Sequence, residues 1–434
     1  MTRIAIIGNG IAGITTARHI RKLSNHAVTV ISAESEFFYS RTALMYIYMG
    51  HMTFDQTKPY EDWFWNRNRI RLKQAYVSRI DIPEKKLVLE NHEEVPYEKL
   101  VIATGSKTNK FNWPGQDLEG VQGLYSLHDL QKMERNTRNV KRAVIVGGGL
   151  IGVEMAEMLR TRHIEVTFLV MEPHYWGNIL PKEEGELVGR HMAEHGVTVR
   201  YRTLLKEILP DDGGRVRAVR TDQGEELPCQ FVGLTAGVHP NIDLVRGSGI
   251  DTDRGVLVNQ FLETNVPDIY AAGDCAQIVG EDGQSRVEQL WYTGRLQGEA
   301  LAKTICGEPT AYERGVWFNS AKFFDIEYQT YGFVAQEPRE GERSLYWEHA
   351  DGNKCVRLVY RDRDGVLVGA NSFGIRYRHR VFEHWLQEGK TIQHVLRNLR
   401  DANFDPELFR RFEPEIVAEH NRNRIGPPVA LNPT

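Results

Sequence analysis

Two stretches of the chain place glycines at a spacing that can hold phosphate. Residues 4–13 read IAIIGNGIAG and residues 143–152 read AVIVGGGLIG. Each is an apolar run, then G-x-G-x-x-G, then apolar positions at helical spacing: Ile11, Ile14, Ala17 and Ile20 in the first, Leu150, Val153, Ala156 and Leu159 in the second. In such a turn the first glycine (Gly8, Gly147) makes the bend and the second (Gly10, Gly149) admits a pyrophosphate to the backbone. The third (Gly13, Gly152) lets the helix pack closely on the strand. The helix starts, at Ile11 and Ala12 and at Leu150 and Ile151, add amide donors and a partial positive charge. An acid beyond the next strand can accept ribose hydroxyls, and Glu34 and Glu172 stand at that place in the two units.

These motifs require strand, turn, helix, strand, twice over, and the second strands are legible as Val28–Ile31 and Val166–Val170. Two dinucleotide sites in one chain suggest a cofactor that stays and a cofactor that visits. No Arg lies between Val170 and Arg190 to grip a 2'-phosphate, which favours NADH over NADPH at the second unit. Short strands are expected at 77–82, 86–89, 95–103, 197–201 and 215–221. Beyond residue 310 the texture turns to aromatic-rich strands, at 323–324, 328–333, 345–347 and 356–360, then to helices from 378 onward. The tail from Gly426, with Pro427, Pro428 and Pro433, reads as extended or disordered.

With 434 residues, 41% of them hydrophobic, the chain can bury several cores without staples. Its 54 Lys+Arg and 58 Asp+Glu give a net charge of −4 and no reason to expect nucleic acid as a partner. Only 4 cysteines are present, without C-x-x-C spacing, so no disulfide scaffold and no metal site is expected, and a reduced, cytoplasmic setting fits best. Ala143–Val153, the longest apolar candidate for a membrane span, is about half the ~20 residues needed. No targeting segment is expected at the start, where Arg3 leads directly into a strand.

Further motifs carry a family resemblance. Residues 264–276, TNVPDIYAAGDCA, resemble the second FAD-binding signature of the two-dinucleotide-domain flavoprotein reductases, the pyridine nucleotide-disulfide oxidoreductase superfamily. Residues 100–106, LVIATGS, resemble its A-T-G motif, and residues 235–241, TAGVHPN, the matching motif after the NAD domain. The resemblance implies an α/β fold of two Rossmann-like domains plus an α+β C-terminal domain. An FAD domain (1–112 and 235–310) is interrupted by an NAD(P) domain (113–234), and residues 311–434 form the domain that meets the acceptor. It implies that Gly273 and Asp274 hold the ribityl and phosphate region of FAD, that the backbone near Val77 meets the adenine, and that Ala103, Thr104, Gly105 and Gly237 line the cofactor turns. Glu154 matches a family Glu on the helix facing the nicotinamide.

The branch is indicated by an absence. Disulfide reductases of this superfamily carry a cysteine pair after the first unit, and the NADH oxidase and peroxidase branch carries one cysteine, whereas no Cys precedes Cys229 here. Residues 38–46, FYSRTALMY, are instead similar to the Y-x-R-P-x-L-S-K stretch of rubredoxin reductases, dioxygenase-type ferredoxin reductases and apoptosis-inducing factor. Tyr39, Arg41 and Leu44 fit, but Thr42 replaces the Pro and Tyr46 the Lys near the flavin. Residues 286–291, RVEQLW, resemble the E-x-x-W segment beside the isoalloxazine ring, implying Glu288 and Trp291 there. Each assignment has a plainer counterpart: Asp274 as a helix cap, Trp291 as core, Glu154 and Glu172 as surface acids.

The expected activity is therefore hydride transfer from nicotinamide C4 to flavin N5, and onward electron transfer to a soluble carrier such as a ferredoxin or rubredoxin. Two alternatives stand beside it: a reductase of quinone or oxygen, and a redox-sensing flavoprotein with a regulatory role; a homodimer is allowed by all three. The clusters Arg376, Arg378, His379, Arg380 and Arg397, Arg400, Arg410, Arg411 could attract an acidic carrier, although Glu383, Glu388, Asp401 and Glu407 interleave with them as on a solvated helix face.

Overall fold

The computed structural model describes residues 1–280, 283–404, 410–423 and 427–432, and these divide into two compact units. The first unit comprises residues 1–112, 119–140 and 234–314; the second comprises 113–118, 141–233 and 315–434.

The first unit is built on a five-stranded sheet in the order 269–271, 99–102, 3–7, 27–32, 70–74. Every neighbouring pair is parallel, with Ile4 opposite Val28 on one side and Lys99 on the other. Such strands are buried on both faces, which is why Arg3–Ile7 reads as an unbroken apolar run after its first residue. The helix Ile11–Leu23 buries Ile14, Ala17 and Ile20 and packs against the helix Trp291–Ile305. Their approach is close because Gly298 faces it: a Cβ there would stand 2.7 Å from the Ala12 carbonyl oxygen. The helix Leu127–Asn136 starts on a capping box between Ser126 and Asp129, a device that contributes about 1 kcal/mol.

The second unit holds another parallel run, 197–201, 165–170 and 142–146, with 231–234 next in order. Its C-terminal portion is a five-stranded antiparallel sheet in the order 318–323, 326–332, 367–373, 355–361, 342–348. The helices His379–Gln387, Ile392–Arg397 and Glu413–Asn423 contribute Phe382, Trp385, Val395 and Ile416 to a core with Tyr331, Trp347 and Leu358. The architecture is thus mixed α/β with two parallel, Rossmann-like sheets.

Three local differences from the sequence expectation have physical causes. Phe324 ends no strand but turns the hairpin between Phe323 and Ile326, at φ 56°. The strand Leu367–Phe373 has no sequence signal because Gly369, Ala370 and Asn371 lack β propensity; it forms because it is hydrogen-bonded on both sides. In the tail, Val429 is buried and exchanges hydrogen bonds of 2.8 and 2.9 Å with the Asn421 side chain, so that part is anchored. Gly426, Pro433 and Glu407 lie outside the described residues.

Candidate cofactor sites

The glycines of the first unit are required for different reasons. Gly8 has φ 110°, and a Cβ on it would stand 2.0 Å from the Ala103 carbonyl oxygen. A Cβ on Gly13 would stand 2.1 Å from the Gly8 oxygen, so the helix cannot approach its strand with any larger residue. Around Gly10 there is nothing within 4 Å: the space in front of the helix start is open. Gly10 caps the helix without a side chain, and its carbonyl accepts the first intrahelical bond from Ile14 N at 3.0 Å. The amides of Ile11, Ala12 and Gly13 precede that bond and point into the open space, a cradle that fits a pyrophosphate. Gly273, at φ 80°, completes the crowding, since a Cβ there would meet the Ala12 Cβ at 2.8 Å.

Three residues singled out in sequence, Glu34, Arg41 and Asp274, meet in one polar network. Arg41 forks onto Glu34, with Nη2 to Oε2 at 2.7 Å and Nη1 to Oε1 at 3.0 Å, and Nη1 also donates to the Tyr125 carbonyl at 2.6 Å. The Tyr39 hydroxyl donates to the same Oε1, as does Leu127 N at 2.6 Å. A carboxylate has about four lone-pair sites, so Oε1 is filled and Oε2 keeps one for a ribose hydroxyl where two were expected. Burial pushes the Glu34 carboxyl up, but Arg41 and the hydroxyl and amide donors win and hold it below its ordinary value. Asp274 accepts from Ser106 Oγ at 2.9 Å and from the Tyr125 hydroxyl at 3.2 Å; burial raises its pKa. The Arg41 guanidinium lies 4.7 Å from the Tyr125 ring centre.

Tyr125 is therefore the hinge of this network, and sequence reasoning missed it because it belongs to no motif and follows the A-T-G turn by a long loop. Gly105, at φ 71°, also leaves room for it: a Cβ there would stand 2.7 Å from the Tyr125 hydroxyl. Thr104 Oγ1 donates to the Asn241 carbonyl at 2.6 Å and Asn109 N to the Gly237 carbonyl at 3.1 Å, which ties the two T-G turns together. Ala103 and Val77 are buried, Val77 at the start of an antiparallel three-stranded sheet with 86–89 and 94–96.

Glu288 and Trp291 part company. Glu288 is 5% exposed and held internally by the Tyr312 hydroxyl at 2.7 Å and Arg286 Nε at 2.9 Å. It fixes the loop that leads into the helix Trp291–Ile305. Trp291, at the start of that helix, is 36% exposed and packs edge-on against Tyr292. The cysteines 229, 275, 306 and 355 are free. Cys275 is fully buried, its thiol 3.4 Å from the Ile102 carbonyl, and burial raises its pKa.

The second unit repeats the turn with a different surround. Gly147 has φ 108° and its amide donates to Leu169 O at 3.0 Å; Gly149 caps the helix Leu150–Thr161. The segment after the second strand folds back onto the turn. The Tyr175 hydroxyl donates to Gly149 O at 2.9 Å, and a Cβ on Gly149 would lie 4.0 Å from the Trp176 indole nitrogen. Ile151 and Gly152 lie in the first turn, Gly152 buried. Among the described residues no hydrogen bond or ion pair engages the Glu172 carboxylate, which is half-buried beyond the strand Glu165–Val170. Glu154, one turn into the helix, has its carboxyl pushed up to about 7 by burial and by the Glu157 charge, against the pull of Lys322.

A profile of the pyridine nucleotide-disulphide oxidoreductases matches residues 2–298. The chain belongs to this family. It is 33% identical to the rubredoxin-NAD(+) reductase of Acinetobacter baylyi over 322 residues, 71% of this chain and 80% of that one. The assimilatory nitrate reductase electron transfer subunit of Bacillus subtilis is 28% identical over 397 residues, 89% of this chain but 49% of the relative. The chain thus spans about half the length of that relative, and of the Bacillus subtilis nitrite reductase it also resembles. A ferredoxin reductase from Rhodopseudomonas palustris superposes with a TM-score of 0.78 at 24% identity, covering 93% of this chain and 96% of that one, a likeness of fold. Among the described residues no helix is long and apolar enough to cross a membrane.

Proposed function

We propose that this chain is an FAD-dependent NAD(P)H oxidoreductase that passes electrons to a soluble carrier protein of the ferredoxin or rubredoxin kind. Bound FAD would supply the chemistry, taking hydride from nicotinamide C4 at N5 and releasing electrons outward. The observation that carries the reading is the pairing of two glycine turns, each opening a helix, with the absence of any cysteine before Cys229. A chain of this family without a thiol in its first 228 residues has no internal disulfide to reduce there, so its electrons leave for an external acceptor. The rubredoxin reductase relative supports a protein acceptor.

The residues have distinct tasks in this reading. The amides after Gly10 and Gly149 bind pyrophosphates, aided by the helix partial charges. Oε2 of Glu34 accepts one ribose hydroxyl while Arg41 holds the carboxylate still. Asp274, oriented by Ser106 and Tyr125, takes the ribityl chain. The backbone at Val77, Ala103, Thr104, Gly105, Gly237 and Gly273 shapes the pocket, Glu288 positions the loop before Trp291, and Trp291 shields a flavin face. Glu172 accepts the ribose 2'-hydroxyl of NADH and would repel the 2'-phosphate of NADPH, and no Arg lies from 171 to 189 to offset that repulsion. Glu154 faces the nicotinamide. FAD is assigned to residues 1–112 and 235–310, the nicotinamide nucleotide to 113–234 and the acceptor to 311–434. The free cysteines suit the cytoplasm.

Anaerobic stopped-flow mixing of the flavin-loaded protein with NADH or NADPH, then with oxidised rubredoxin or ferredoxin, tests this. Rapid bleaching by NADH, at least about tenfold faster than by NADPH at equal subsaturating concentration, followed by fast reoxidation by a carrier, is expected. Bleaching by neither nucleotide, or rapid NADH consumption in air with no response to any carrier, overturns it.

A further inference from the structure

Apart from the nucleotide turns, the second unit brings together His191, His195 and Asp325 so that one ligand atom from each lies within 4.8 Å of the others. His191 and His195 are one turn apart at the end of the helix Lys182–Glu194, with ring centres 4.4 Å apart. The His191 Nε2 and the His195 Nε2 stand 2.5 and 3.4 Å from the same Asp325 Oδ1. The His195 ring is oriented from behind. Nδ1 of His195 lies 2.9 Å from the His191 carbonyl, which makes it the protonated nitrogen and leaves Nε2 a lone pair. Nδ1 of His191 is buried, with a Glu194 carboxylate oxygen at 3.4 Å. His195 is thus held as metal-ligating imidazoles are, one nitrogen on an acceptor and the other left for an ion, while Nδ1 of His191 makes no hydrogen bond among the described residues.

Asp325 reaches the pair because of the hairpin turn between Phe323 and Ile326. Phe324 takes φ 56°, a conformation that costs a bulky residue on the order of 1 kcal/mol, and its ring stacks on His195 with centres 4.5 Å apart. The Asp325 side chain is 75% exposed and that of His191 only 6%, so one side of the cluster is walled by protein and the other open to water. The positive φ of Phe324 is what a two-residue hairpin loop demands, but an ordinary surface ion pair would not need two imidazoles converging on one carboxylate oxygen.

We propose that His191, His195 and Asp325 form a binding site for a divalent transition ion, Zn²⁺ by the chemistry of its donors, with water in the fourth position. Two imidazole nitrogens and one carboxylate favour such an ion over Mg²⁺ and Ca²⁺, which prefer all-oxygen sets. Bound zinc replaces the proton shared between His191 and Asp325 and clamps the 318–332 hairpin to the helix Lys182–Glu194. The site stands apart from the proposed redox chemistry and holds or fails independently of it.

The test uses full-length, flavin-loaded protein stripped with a chelator and titrated with ZnCl₂ against a chromophoric competitor. Thermal unfolding is followed with and without zinc, and Co²⁺ absorption reports the geometry. Wild type should bind one tight equivalent, show an intense tetrahedral Co²⁺ spectrum and unfold at higher temperature with zinc. His195→Gln and Asp325→Asn, both at accessible side chains, should each weaken binding by at least about tenfold and abolish the zinc-induced shift. Unchanged binding in both variants, or no tight equivalent in wild type, overturns the proposal and leaves the cluster a plain ion pair. Zinc-free unfolding of each variant shows that it is folded before the comparison is made.

Discussion

The two glycine turns share a motif and differ in what surrounds it. In the first, the space before Gly10 is open and the nearby acid is already held: Arg41, Tyr39 and Leu127 all donate to Glu34. In the second, Trp176 stands beside Gly149 and Glu172 has no such partners among the described residues. A prearranged acid loses little freedom on binding and favours a cofactor that stays, whereas an unrestrained one must be ordered at each encounter. The difference suits the first turn to a resident dinucleotide and the second to one that exchanges.

The largest effect should come from closing the open space. Gly10 has φ −69°, so Gly10→Val is unstrained and fills only the cradle. The purified variant should carry less than about a tenth of the wild-type flavin absorbance, a loss of order 1.4 kcal/mol or more in binding, and should still be folded by circular dichroism. Full flavin content would remove the premise that this turn is the resident site. Next in size, Glu34→Gln strips the partly buried Arg41 of its counter-charge. Thermal or urea unfolding of the flavin-free protein should register about 2–3 kcal/mol of destabilisation, below the full cost of breaking a wholly buried pair. A change under about 0.5 kcal/mol would mean that the acid is not prearranged.

How much of this was open to sequence reading depends on the range over which each residue acts. The glycines, Glu34, Arg41 and Asp274 belong to short motifs whose spacing follows from local backbone geometry, and the structure brings them together around one turn. Tyr125 was hidden because its role arises from packing against Gly105, a contact no periodicity encodes. Glu288 was singled out by its resemblance to a cofactor-side segment, but its hydrogen bond to Tyr312, 24 positions away, depends on which way its loop turns, and the identity of a carboxylate does not say that. His191 and His195 are visible as an i, i+4 pair, but Asp325 joins them through a hairpin more than a hundred positions later, so the cluster could not be read. The strand Leu367–Phe373 illustrates the same limit in the fold, since its pairing on both sides overrides weak local preference.

Charge balance separates the two turns as well, and Glu154 measures it. The acid near the first turn is matched by Arg41, whereas Glu154 in the second is half-buried near Glu157, and its carboxyl is pushed up to about 7 against an ordinary 4.5. A group whose pKa rises on folding stabilises the fold while protonated and loses that contribution as pH climbs through the folded value. Wild type should therefore lose about 2 kcal/mol relative to Glu154→Gln between pH 4.5 and 7.5, discounting for partial exposure. Parallel stability curves for the two proteins across that range would place Glu154 in water.

The smallest effect should be the most diagnostic. If Glu172 meets the ribose 2'-hydroxyl only when a nucleotide arrives, Glu172→Ala costs one hydrogen bond to a charged group, about 1.5 kcal/mol, or roughly tenfold in KM for NADH. Because no partner holds the carboxylate beforehand, unfolding temperature and flavin content should not change, and this separates the substitution from Glu34→Gln. Removing a negative charge should at the same time relax discrimination against NADPH, so the NADH to NADPH ratio of kcat/KM falls. A tenfold rise in KM accompanied by loss of stability would instead show that Glu172 is restrained like Glu34, and the contrast between a resident and a visiting site would fail at the acid.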